Sequence, residues 1–135
     1  MQLTDSLKIA AAGMRAQGDR LRVVAENIAN ADSTATTPGG EPYRRKTVVF
    51  QNVLDKELGI ETVRVAKRGT DNSDFNKKFE PYHPAADAEG YVLYPNVNTI
   101  IETIDMKEAR RAYEANLGVV EVSKAMVART LDLLR

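Results

Sequence analysis

The chain has 135 residues, enough for one domain, but only 6% of them are aromatic and none is Trp, so there is little bulk to fill a globular core. Lys plus Arg and Asp plus Glu stand at 19 each, which excludes attachment to nucleic acid or an anionic membrane by bulk charge. With no Cys there can be neither disulfides nor thiolate metal sites, and no apolar run reaches the roughly eighteen residues that a spanning helix needs.

The amino-terminal stretch carries Thr4, Asp5, Ser6 and Lys8 and has neither a basic n-region nor a clean apolar core, so no cleaved secretory signal is expected. By that rule alone the protein would stay in the cytoplasm. Leu7, Met14, Leu21 and Ile28 recur at a constant heptad interval, with Ala11, Val24, Ala25 and Ala31 beside them, which predicts a helix over residues 4–31. Thr4, Asp5 or Ser6 is available as its N-cap. Gly13 and Gly18 lie inside it, consistent either with close approach of a neighbour or with tolerance in a long helix. Asn27 and Asn30 stand on either side of Ile28, where an amide caps free backbone groups or bonds to a second chain.

Residues 32–42 are rich in Ser, Thr, Pro and Gly, and helix cannot persist through Thr37-Pro38-Gly39-Gly40. Short strands are then expected at 43–50 and 60–66, an extended segment at 75–79 between Phe75 and Phe79, and a last strand at 91–95. Turns at 71–74 and 83–90 separate them. Arg44-Arg45-Lys46 reads as a solvated strand end. Pro95 ends the last strand, and Asn98 is suited to N-cap a helix starting at Thr99.

Residues 98–135 contain no Pro and keep a helical apolar rhythm. Ala112, Val119, Met126 and Leu133 repeat at the heptad interval, with Ala115 and Val122 between them. Such a helix extends on the order of 55 Å, so its stripe needs a partner of similar length, which only the amino-terminal helix offers. The expected fold is therefore mainly α: long terminal helices paired antiparallel as a coiled coil, with a short-stranded all-β segment between them. Residues 1–31 and 98–135 would form the helical domain and 32–97 a hinge loop and small β insert. Val119 is expected on the face toward the first helix. Alanine stripes bury little area, so both ends of an isolated monomer are expected to be partly disordered. Loss of the cap in Asn98→Ala is expected to weaken assembly more than Asn96→Ala does.

Little chemistry is legible. His83 has Asp87 and Glu89 nearby but no second imidazole, and reads as a turn residue bonding locally. Asp71-Asn72-Ser73-Asp74 lacks the spacing of a calcium loop, and no phosphate-binding Gly-rich loop or nucleophile elbow occurs. No catalytic, cofactor or metal residues are expected, and no enzyme. The rivals are an unrelated helical adaptor forming a closed oligomer and a small enzyme using His83.

Specific residues add a resemblance. Ala25-Glu26-Asn27-Ile28-Ala29-Asn30-Ala31 after an amphipathic helix resembles the amino-terminal signature of bacterial flagellar axial proteins, the rod and hook family. Tyr94-Pro95-Asn96-Val97-Asn98 and Arg111-Ala112-Tyr113-Glu114-Ala115-Asn116 are similar to elements shared across it. His83-Pro84-Ala85-Ala86-Asp87-Ala88-Glu89-Gly90-Tyr91-Val92 running into the former points to one basal-body rod subunit among its sisters, another rod subunit being the alternative. Asp74 and Tyr82 depart from that pattern, where Pro and Gly are usual.

The resemblance implies a structural subunit of the proximal rod. It implies export through the flagellar type III apparatus without a cleaved signal, and assembly in the periplasm with itself and other rod subunits into a hollow, torque-transmitting drive shaft around the export channel. Leu7, Met14, Leu21, Ile28, Ala112, Val119, Val122, Met126 and Leu133 would make the subunit contacts. Asn27, Asn30, Tyr94, Pro95, Asn96, Asn98, Tyr113 and Asn116 are the residues matching the family motifs.

Overall fold

A computed structural model describes residues 2–135. The elements, in order, are α1 (Leu3–Ala29), β1 (Lys46–Asp55), β2 (Ile60–Thr70), β3 (Asn76–Phe79), β4 (Tyr91–Tyr94) and α2 (Thr99–Leu133). α1 opens with the Gln2 backbone N–H donating to Asp5 Oδ2 at 3.0 Å, which places a carboxylate at the positive end of the helix. It ends two residues before the sequence predicts. Asn30 leaves the helix, its Nδ2 donating to the Glu26 carbonyl and its Oδ1 accepting from Ser33 Oγ, and these bonds hold the turn that follows. α2 starts where expected. Asn98 Oδ1 accepts from the N–H groups of Ile100 and Ile101 at 3.1 and 3.4 Å.

β1 and β2 form one two-stranded sheet and β3 and β4 another. The turn between β1 and β2 is tied by Asp55, whose Oδ1 accepts from the N–H groups of Glu57 and Leu58. β3 and β4 run antiparallel with Asn76 opposite Tyr94 and Phe79 opposite Tyr91. Gly90, just before β4, has φ 87°, and a Cβ there would lie 2.9 Å from Phe79 Cε2, so only glycine fits. The architecture is mixed α/β, not mainly α. β1 extends through polar Gln51 and Asn52, and β2 runs on through Lys67, Arg68 and Gly69 to Thr70, because ladder pairing continues past the apolar residues that flag a strand in sequence.

The chain divides into two compact units, each drawing on both helices and on the β segment. The first holds the chain as far as Leu21 with Val48–Lys67 and Lys107–Arg135. Its most enclosed residues are small: Ala10, Gly13, Ala16, Ala109 and Ser123. A Cβ at Gly13 would meet Asn116 Nδ2 at 2.8 Å, whereas one at Gly18 would meet nothing. Gly13 therefore marks a close approach and Gly18 does not. Arg20 pairs with Glu108 at 3.6 Å in the same unit, so contact points that climb α1 descend α2.

The second unit comprises Arg22–Thr47 and Arg68–Met106. Val23, Val24, Ala85, Val92, Pro95 and Val97 form its apolar core, and two polar side chains, Asn27 and Glu102, are buried among them.

Candidate subunit-interaction site

In the second unit the polar groups converge on Asn27. Its Oδ1 accepts from Tyr43 Oη at 2.8 Å and from the Lys46 backbone N–H at 2.9 Å. Its Nδ2 donates to the Lys46 carbonyl at 2.9 Å and to Glu102 Oε2 at 3.3 Å. The amide is thereby nearly saturated, as a buried Asn requires. Glu102 Oε1 accepts from Arg45 Nε, and Arg45 Nη1 also lies 3.6 Å from Asp71 Oδ2. Burial opposes the Arg45 charge, but the bond and charge of Glu102 outweigh it and raise the guanidinium pKa. Burial likewise raises the Tyr43 phenol.

The basic run is not a solvated strand end, because each cation has a partner. Arg44 Nη1 donates to the carbonyls of Asp71 and Ser73, and its guanidinium stacks 4.1 Å over the Phe75 ring. Arg45 serves Glu102, and Lys46 Nζ donates to Glu26 at 2.9 Å. That bond lowers the Glu26 pKa and raises that of Lys46. Asn96 ties the same region together. Its Oδ1 accepts from the Arg45 N–H at 2.8 Å, and its Nδ2 donates to the Asp71 carbonyl and to Ser73 Oγ, each at 3.0 Å.

The other motif residues act locally. Tyr94 Oη donates to Glu80 Oε2 at 2.9 Å, which raises the phenol pKa, and Lys78 Nζ sits 4.2 Å from its ring centroid. Pro95 is buried, Tyr113 half-buried, and Asn116 Nδ2 donates to the Ala112 carbonyl. His83 Nδ1 accepts from the Ala85 N–H at 3.0 Å, within its own turn, and Nε2 lies 3.4 Å from Thr34 Oγ1, 49 residues away in the chain, so the ring also ties the turn to the loop after α1. Tyr43, Arg45, Lys46 and Glu102 were absent from the sequence-derived residue set. The available signal was Glu102 itself, an acid one heptad before Ala109 and two before Asn116, on the inward-facing side of α2.

The expected stripes divide between two environments. Leu7, Met14, Leu21 and Ile28 are half-buried along the flank of the enclosed α1 face, and Ala112 is half-buried too. Val119 is 45% exposed, Val122 60%, Met126 53% and Leu133 86%, so the face toward the first helix is not theirs. That face carries Ala109, Ala112, Asn116, Val120, Ser123 and Val127 instead. Small and polar residues lie inward because they allow close approach, and the bulky aliphatic ones are left outside.

A mixed α/β chain whose second long helix turns Val119, Val122, Met126 and Leu133 outward has the kind of exposed apolar stripe that marks contacts between chains. Residues 88–133 match the family model described as the carboxy-terminal region of flagellar basal body rod FlgEFG proteins. Over 133 residues the chain is 52% identical to the flagellar basal-body rod protein FlgC of Agrobacterium fabrum, covering 98% of this chain and 96% of that one. It is 42% identical to FlgC of Salmonella typhimurium, with 98% of each covered, and 37% identical to that of Bacillus subtilis, with 95% of each covered. The chain belongs to the FlgC family of flagellar basal-body rod proteins, and its role is that of a structural component of the rod.

Proposed function

We propose that the chain polymerises with itself and with other rod subunits into the hollow shaft of the proximal rod, through the stripes of its terminal helices. The observation that carries this reading is the exposure of Val119, Val122, Met126 and Leu133 on one side of α2. Such a stripe is costly in water and is covered when a neighbouring subunit's helix lies along it. A helical assembly uses the non-closing kind of contact, so repetition supplies stiffness against torque.

Within each subunit, α1 and α2 pair antiparallel as a coiled coil, residues 1–31 and 98–135 forming the rod domain and 32–97 the insert. The Gly13 contact with Asn116 and the Arg20–Glu108 ion pair, taken in opposite order along the two helices, support the pairing. Heptad repetition in both helices supports it too. The chain reaches the periplasm through the flagellar type III apparatus. Small side chains at the helix contact give a fold weak enough to be threaded. The role is structural and not enzymatic, a reading supported by His83, whose two ring nitrogens are both engaged, by the Ala85 N–H and Thr34 Oγ1.

Sedimentation of the purified chain, alone and mixed with its rod partners, together with electron microscopy of basal bodies from a deletion strain, tests the assembly. Shafts truncated at the proximal rod and heterologous complexes in solution are expected. Intact rods without the chain, or a closed dimer indifferent to partners, would overturn it.

A further inference from the structure

Apolar periodicity cannot by itself fix how far α2 slides along α1. On α1, Leu7, Met14, Leu21 and Ile28 repeat at the heptad interval along the flank of the enclosed face. The inward small residues of α2 also recur at heptad spacing, at Ala109, Asn116 and Ser123. A slide by one heptad therefore sets like against like, at little cost in apolar contact. What does not repeat is the fully buried polar pair. Among the described residues, Asn27 on α1 and Glu102 on α2 are the polar side chains buried to 1% exposure, against 5% for Ser123, and the two are bonded to one another. Arg45 bonds the same carboxylate, and Asn27 grips the chain at Lys46 through both its amide atoms.

We propose that Asn27, Arg45 and Glu102 are a register lock, a buried polar cluster whose role is to select one alignment of α1 on α2 and not to add stability. It rests on the antiparallel pairing proposed above. A slide of one heptad leaves Asn27 opposite Ala109 in one direction and opposite Pro95, before the start of α2, in the other, and either strands a carboxylate and an amide without each other, which penalises both alignments. The cluster itself brings little net stability, because desolvating Glu102 and part of Arg45 offsets most of the attraction between them. A single polar group at a buried heptad position is known to act in this way.

The test is nuclear magnetic resonance on the full-length monomer. The wild type is expected to give one set of amide resonances with cross-helix contacts between Gly13 and the Asn116 side chain. If the wild type lacks those contacts, the pairing itself fails. Replacing the cluster by apolar groups of similar size, Asn27→Leu with Arg45→Met and Glu102→Met, is expected to keep helix content, with a lower thermal midpoint because Tyr43 and the Lys46 backbone lose their Asn27 partner, while splitting the α1 and α2 resonances into two or more sets. A second variant moves the acid one heptad, Glu102→Ala with Ala109→Glu, and is expected to shift the contact of Gly13 from Asn116 to Ser123. A single resonance set in the apolar variant, its unfolding, or an unmoved Gly13 contact in the second variant would each overturn the lock.

Discussion

Asn27 and Glu102 lie 75 residues apart in the chain, yet the Asn27 amide donates to the Glu102 carboxylate at 3.3 Å, and neither residue is more than 1% exposed. Removing either partner leaves the other desolvated and short of bonds, whereas an amide in place of the carboxylate keeps one of its two, the amide oxygen still accepting from Arg45 or Asn27. Glu102→Ala is therefore expected to cost about 2–4 kcal/mol, and Glu102→Gln about half of that. Urea denaturation of the two variants measures the difference, and equal costs would mean that charge, not hydrogen bonding, holds the cluster.

The acid limb of the stability profile follows from two carboxylates. Asp71 is held below its ordinary pKa chiefly by hydrogen bonding from Ser73, whose N–H reaches Asp71 Oδ1 at 2.9 Å, and Glu26 chiefly by its bond from Lys46. A carboxylate whose folded pKa lies below its unfolded one contributes fully above the unfolded value and loses its contribution as pH falls through the folded value. The urea midpoint is expected to hold from neutrality to about pH 5 and then to fall as these groups take up protons. A Glu26→Gln, Asp71→Asn double variant should have a shallower acid slope, and a slope identical to wild type would show that other groups govern it.

Val119 separates folding from assembly. A buried Val119 would make Val119→Asp costly to the fold, but its 45% exposure removes that cost. The monomer's thermal midpoint should shift by no more than the equivalent of about 0.5 kcal/mol, as for other exposed substitutions. Motility should nevertheless be lost, since the charge would be buried without a partner once a neighbour covers the stripe. A destabilised monomer, or normal swimming, would contradict the exposed-stripe reading.

The long helices and the cap at Asn98 were legible because they follow from local rules, a repeat of apolar side chains and one polar side chain before an uncapped helix end. Which stripe of α2 faces inward was not legible. Sequence favours the bulkiest apolar residues, Val119 and Met126, but close helix approach favours Ala109 and Asn116, as the contact at Gly13 demonstrates. The polar cluster was hidden for a related reason. Arg44, Arg45 and Lys46 look like a solvent-facing run until the partners that neutralise them, distant in sequence, are brought alongside by the fold. Strand lengths were underestimated because ladder pairing carries polar residues such as Gln51 and Lys67.

The two asparagines at the join between β4 and α2 give the last prediction, and here the expected order reverses. Asn98 does cap α2, but it is exposed and satisfies only the N–H groups of Ile100 and Ile101. Water can replace the cap, so Asn98→Ala should cost about 1 kcal/mol. Asn96 is half-buried, and its amide accepts from the Arg45 backbone and donates to Asp71 and Ser73, joining three separated parts of the chain. Asn96→Ala leaves the Arg45 N–H and the Asp71 carbonyl without that partner and should cost about 2–3 kcal/mol. It also loosens the strand end from which Arg45 reaches Glu102. Denaturation midpoints and soft-agar motility halos of the two variants should both show the larger defect at Asn96, and a larger defect at Asn98 would mean that helix initiation, not this amide, governs the join.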